Sequence, residues 1–183
     1  MNGRYLIVLG TSLIIIGLII TSFINFYYRS SILTGHIIAE DVKKLARIFN
    51  TIDRQCRIIG FDYDKNPINF LNVEKFSGSE IGSMNLAYPD KWDGPYLFDN
   101  LTVQSIEYMI VATDNGYFIT PGDGVALPNG KVIGKDIVFD RKSDIAQMMY
   151  DKTQLYYGGR PLATQMIEYK NDAVSTDIAN LEE

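Results

Sequence analysis

The densest chemistry in this sequence is a set of oxygen donors. It runs from Asp114-Asn115-Gly116 through Thr120-Pro121-Gly122-Asp123-Gly124 to Lys135-Asp136. Hard cations such as Ca²⁺ take carboxylate and backbone carbonyl oxygens from turns of this kind, which makes Asp114, Asp123 and Asp136 the candidate ligands. The spacing matches no EF-hand loop, and the same residues serve equally as ordinary turn formers.

Other chemistry is scarce. One histidine, His36, and one cysteine, Cys56, leave no material for a histidine-based triad or a His/Cys zinc site. No His-Glu-x-x-His, phosphate loop or Gly-x-Ser-x-Gly occurs. His36 reads as a solvated or interfacial residue, and Cys56 as a small core residue that cannot form an intramolecular disulfide. Carboxylates are plentiful, so a paired-carboxylate hydrolase stays open, although no pair is marked by an apolar setting that would raise a pKa. No catalytic residue and no organic cofactor is expected.

The elements that must position these residues begin with an apolar run. From Tyr5 to Tyr28 there are 24 residues without a charge, bounded by Arg4 and Arg29. As a helix the run is about 36 Å long, enough to span a hydrocarbon core of about 30 Å with some tilt. Thr11, Ser12, Thr21 and Ser22 can return their hydroxyls to helix carbonyls, and Phe26, Tyr27, Tyr28 and Arg29 form an interfacial belt with a charged stop. A cleaved secretory signal is the alternative, but signal cores are shorter and end in small residues, not bulky aromatics.

The charge is −5 overall, with 17 Lys+Arg and 22 Asp+Glu. Setting Arg4 aside leaves 16 cations against the same 22 carboxylates beyond the span, a balance of −6 that argues against nucleic-acid binding. A short head before the span and a large acidic domain after it favour a single-pass protein with its N-terminus inside and its domain on the exported side; the inner (cytoplasmic) membrane is the expected location.

A second helix is expected to continue the first. Ile38, Val42, Leu45, Phe49, Ile52, Cys56 and Ile59 step by alternating fours and threes, a heptad seam with Gly60 at its C-cap and Gly35 marking a bend. The seam packs either on a β-sheet of its own domain or on a partner helix in a coiled coil. Residues 61–95 are rich in turn formers, with apolar residues from Phe70 to Trp92 that can cover a sheet. Beyond Val103, Ile106, Tyr108, Ile110 and Ala112 alternate with Glu107, Met109, Val111 and Thr113. Asp114-Asn115-Gly116 then supplies a hairpin turn with positive φ, and Pro128-Asn129-Gly130-Lys131 a second one. Two hairpins predict a small antiparallel sheet of about three or four strands with the helix on one face. Ser143 is placed to cap a helix through about Lys152, and a strand is expected from Leu162 to Tyr169.

The expected layout is therefore α+β. A head at 1–4 precedes a transmembrane helix at 5–28 and an amphipathic helix at 29–60. An α+β domain follows at 61–170, with a flexible acidic tail at 171–183.

Taken together, this order resembles the type IV pilin superfamily, and within it the pseudopilins of type II secretion systems. The string Trp92-Asp93-Gly94-Pro95-Tyr96-Leu97, then Tyr108, Gly116-Tyr117-Phe118-Ile119 and Gly122-Asp123-Gly124, is similar to the major pseudopilin's Pro-Tyr-Leu segment, hairpin and calcium-binding loop. The likeness covers residues 5 to about 136. It implies a pilin-like fold, a non-catalytic structural role in an envelope secretion or pilus apparatus, Ca²⁺ at the aspartate-rich loop, and other pilin-like or secretion-apparatus subunits as partners. Homo-oligomers would form through the N-terminal helix. Two features depart from the family. Gly3 is followed by Arg4-Tyr5-Leu6-Ile7-Val8 in place of Phe-Thr, and Val8 stands where the family carries a glutamate. A membrane-tethered sensory domain reading a small ligand in a cavity lined by residues 61–100 is the second functional expectation.

Overall fold

A computed structural model describes residues 3–166. The chain is α+β: one long N-terminal helix followed by short antiparallel strands. Helix α1 runs unbroken from Gly3 to Cys56, so the apolar run and the heptad seam are one element. β1 (Ile58–Phe61), β2 (Lys65–Pro67), β3 (Glu80–Ile81), β4 (Met84–Leu86) and a 3₁₀ turn (Pro89–Lys91) follow within the turn-rich segment. β5 (Thr102–Val103), β6 (Ile106–Thr113) and β7 (Gly116–Pro121) come next. A single helical turn α2 (Ile145–Met148) and the strands β8 (Tyr156–Tyr157), β9 (Arg160–Pro161) and β10 (Thr164–Gln165) complete the described chain. The expected acidic tail lies outside the described residues.

The seam is buried as its spacing predicts, from Ile38 through Val42, Leu45, Phe49 and Ile52 to Cys56, each at most 1% exposed. It packs on the chain's own domain, against β5, β7, β9 and β10. Its last expected member fails, because Ile59 is 64% exposed. The helix stops at Cys56, and Arg57 takes a left-handed φ of 53°, which resets the register and turns Ile58 inward in place of Ile59. Gly60 is therefore not a cap; it lies in β1, paired with Asn85 across a bulge. The helix end is closed by Asp53, whose carbonyl accepts from Arg57 N (2.8 Å) and whose carboxylate accepts from Ile58 N (2.9 Å). The carbonyls of Cys56 and Arg57 accept from Tyr88 N and Ala87 N, so the end of α1 is tied to the chain after β4.

Gly35 makes no break in α1. A Cβ there would stand 2.8 Å from Tyr157 Cδ1 and 3.1 Å from Pro128 Cγ, so the glycine lets the domain approach the helix backbone closely.

The main sheet has the order β10-β7-β6-β2, with β5 also paired to β6. β6 and β7 form the expected hairpin, in register from Tyr108↔Pro121 to Thr113↔Gly116. At that turn only Gly116 has positive φ, at 118°. Two adjacent positive-φ residues occur instead at Gln104 (54°) and Ser105 (63°), between β5 and β6, and at Gly158 (57°) and Gly159 (81°), between β8 and β9. The second expected hairpin is reduced to one bridge, Ala126↔Val132, and contributes no strand to the main sheet. Both faces of β6 are covered, since Met109 and Val111 are as deeply buried as Tyr108 and Ile110. One helix lies on one face only, so the long segments flanking the hairpin supply the second cover. The expected helix from Ser143 shrinks to a turn capped by Asp144, whose carboxylate accepts from Gln147 N at 2.9 Å. The strand expected over 162–169 is described only as Thr164–Gln165, on the edge of β7.

Candidate functional site

The three aspartates put forward as ligands are employed separately. Asp123 pairs with Lys65, with Nζ to Oδ2 at 2.9 Å. Asp136 closes a turn by accepting from Val132 N at 2.8 Å. Asp114 sits at the hairpin tip, where its backbone N–H donates to the Arg141 carbonyl at 2.8 Å. Among the described residues, no group of three or more His, Cys, Asp or Glu side chains stands close enough to hold a metal ion. The glycines around Asp123 have steric reasons of their own. A Cβ on Gly122 would collide with the Glu107 carbonyl, and Gly124 has a φ of 99°.

Cys56 is fully buried, and burial pushes its thiol up although Lys91 pulls the other way, which keeps it a neutral core group. Asp41 is raised first by desolvation, while its hydrogen bond from the Tyr108 hydroxyl (2.8 Å) and the charge of Lys44 oppose the rise. Tyr108 is entirely buried, and the same pairing holds its hydroxyl far above the ordinary phenol range, burial being the main cause. This bond joins α1 to the centre of β6, and its role is structural.

The Trp92-to-Leu97 segment forms a latch at the far end of α1. The Trp92 indole N–H donates to the Val73 carbonyl at 3.1 Å, and the rings of Phe76 and Tyr96 meet Trp92 edge-on at 5.4 and 4.8 Å. Tyr96 donates its hydroxyl to Gln55 Oε1 at 3.0 Å, while Tyr96 N and Leu97 N both donate to the Leu71 carbonyl. Gly94 lies against the Trp92 ring and the Val73 carbonyl, where any Cβ would collide.

The largest unsatisfied feature is the first half of α1. Every large apolar side chain from Leu13 to Phe26 is at least half exposed, and none of the helix's most apolar stretch is buried. That stretch is long and apolar enough to cross a membrane. Thr21 returns its hydroxyl to the Gly17 carbonyl at 2.5 Å, as a hydroxyl in lipid must. A soluble monomer rarely leaves an apolar surface of this extent to water.

Comparison with protein-family models, with curated proteins and with solved structures finds no match. Function must therefore be argued from the chain's own geometry.

One grouping had no signal in the sequence. Where α1 leaves its apolar half, the β8–β9 hairpin folds back against it, and Arg160 Nη1 donates to His36 Nδ1 and to Glu40 Oε1 (3.2 Å). Arg160 and His36 are 124 positions apart, so only the fold brings them together.

Proposed function

We propose that this chain is a non-catalytic, membrane-anchored, pilin-like subunit of the pseudopilin kind, working in an envelope secretion or pilus apparatus. Its apolar half-helix lies in the inner membrane, and the α+β domain stands on the exported side. The observation that carries the reading is the division of one continuous helix. From Leu13 to Phe26 it carries large apolar side chains that are unburied, and its second half is sealed into the domain along one stripe. Such a helix is a rigid rod: the domain cannot reorient without breaking it, which suits a subunit that assembles by packing its helix beside others. The antiparallel hairpin and the Trp92-to-Leu97 latch at the end of the helix agree with the pseudopilin resemblance. A ligand-reading domain is less well supported, because the helix stripe and Tyr108, Ile110 and Ile119 fill the interior with side chains.

Photo-crosslinking from Ile15 in native membranes tests the proposal. Adducts to a second copy or to other single-helix subunits are expected. A chain that is strictly monomeric and partnerless there would overturn the subunit role. A chain extracted from membranes by alkaline carbonate would overturn the anchor.

A further inference from the structure

A groove of about 620 Å³ lies where the exposed half of α1 meets the domain. One wall is the helix face carrying Arg29, Ile32, Leu33 and His36, positions spaced three and four apart, as residues sharing a face must be. The other wall is the β8–β9 hairpin, with Tyr157 and Arg160. The lining is mostly apolar, and Ile32 and Leu33 remain more than half exposed, continuing the apolar surface of the span beyond Arg29.

The charges in the groove do not balance. Arg160 is paired with Glu40 across 3.2 Å, which balances its charge, and it also meets His36 Nδ1. Arg29 stands at the end of the uncharged run, and no ion pair is recorded for it among the described residues. The groove thus carries one net positive charge beside an apolar trough, at the level where a membrane-spanning helix leaves the hydrocarbon. A phosphodiester brings one negative charge, and an acyl chain suits the trough.

We propose that this groove seats one anionic phospholipid, its phosphate between Arg29 and Arg160 and its first acyl methylenes along Ile32 and Leu33. The seat rests on the anchor reading above, and it goes further by fixing the depth and rotation of the helix in the leaflet that faces the domain. Glu40 limits the affinity, because it competes with the phosphate for Arg160. A zwitterionic lipid offers the same phosphate but cancels its charge, so the groove discriminates by headgroup.

The full chain in nanodiscs of mixed phosphatidylglycerol and phosphatidylcholine, released gently for native mass spectrometry, tests this. The expected result is one retained phosphatidylglycerol in preference to phosphatidylcholine. Arg29→Gln and Arg160→Gln should each lower that preference about fivefold, the weight of one cation near an anionic surface. Glu40→Gln should raise it, which a purely structural role for the Arg160–Glu40 pair does not predict. Equal retention of both lipids, or an unchanged preference in all three variants, overturns the seat while leaving the anchor standing. Displacement of the lipid by equimolar inorganic phosphate would assign the groove to free phosphate and also overturn it. Extraction of the wild-type chain by alkaline carbonate would remove anchor and seat together.

Discussion

The two halves of α1 are both rich in isoleucine and leucine, yet they meet opposite surroundings. From Leu13 to Phe26 the apolar residues occupy every face and stay uncovered; from Ile38 to Cys56 they keep to one stripe and vanish into the core. The difference lies in periodicity. A stripe with charges such as Lys43, Lys44 and Arg47 on the other faces can satisfy water and protein at once. An all-round apolar cylinder can satisfy neither unless lipid or other helices surround it.

Charging the first half should produce the largest effect. Ile15→Arg with Ile19→Arg costs about 2.5–3.5 kcal/mol per arginine at a membrane-embedded helix centre, about 5–7 kcal/mol together. Carbonate extraction should move this variant into the soluble fraction, while the urea midpoint of the domain stays put. Phe49→Ala, in the second half, should do the reverse. It leaves membrane retention intact and costs about 3–5 kcal/mol of domain stability in urea unfolding, because Phe49 is fully buried and meets Phe61 and Phe70 edge-on. If either variant moved both readouts, the helix would be a single functional unit rather than two.

Legibility followed the same division. The long apolar helix and the seam could be read because each is a local pattern in composition or spacing. The end of the seam could not, because Arg57 adopts a left-handed conformation usually given to glycine, so Gly60 drew the cap three residues too far. Gln104-Ser105 hid a tight turn for the same reason. The aspartates are ambiguous in a different way, since Asp in a turn and Asp on an ion share one local composition; the structure places Lys65 beside Asp123 and Val132 N beside Asp136. The groove at Arg160 and the latch joining Trp92 to Val73 and Tyr96 to Gln55 depend on long-range approach, for which the sequence holds no local mark.

Gly35 sharpens the boundary between the halves, being the first buried residue described along α1. Gly35→Leu places a branched side chain where even a Cβ would approach Tyr157 and Pro128 closely. Overpacking of this sort costs about 1–3 kcal/mol, against about 1 kcal/mol regained in helix propensity. The net loss should appear in urea unfolding. A stabilised variant would mean that the β8–β9 hairpin is free to move away, and that the buried half of the helix begins nearer Ile38.

The smallest effect concerns Asp41, on the flank of the buried half. Folding raises its pKa above the ordinary 3.8, chiefly through desolvation, so the folded state binds this proton more tightly than the unfolded chain. Its contribution is therefore fully present below the unfolded value and fades as pH rises through the folded one; at neutral pH the ionised carboxylate is a cost, partly offset by the Tyr108 hydroxyl and Lys44. Asp41→Asn keeps an oxygen to accept from Tyr108 but cannot titrate. On going from about pH 7 to about pH 4, wild type should gain stability relative to this variant. Asp140 and Asp151, whose carboxyls are lowered chiefly by hydroxyl donors, act in the opposite sense but are common to both proteins and cancel in the difference. Urea midpoints at the two pH values measure it. A difference of the opposite sign would mean that Tyr108 and Lys44 hold the carboxylate more strongly than burial penalises it, and that the stripe tolerates charge at its edge as readily as the water-facing side does.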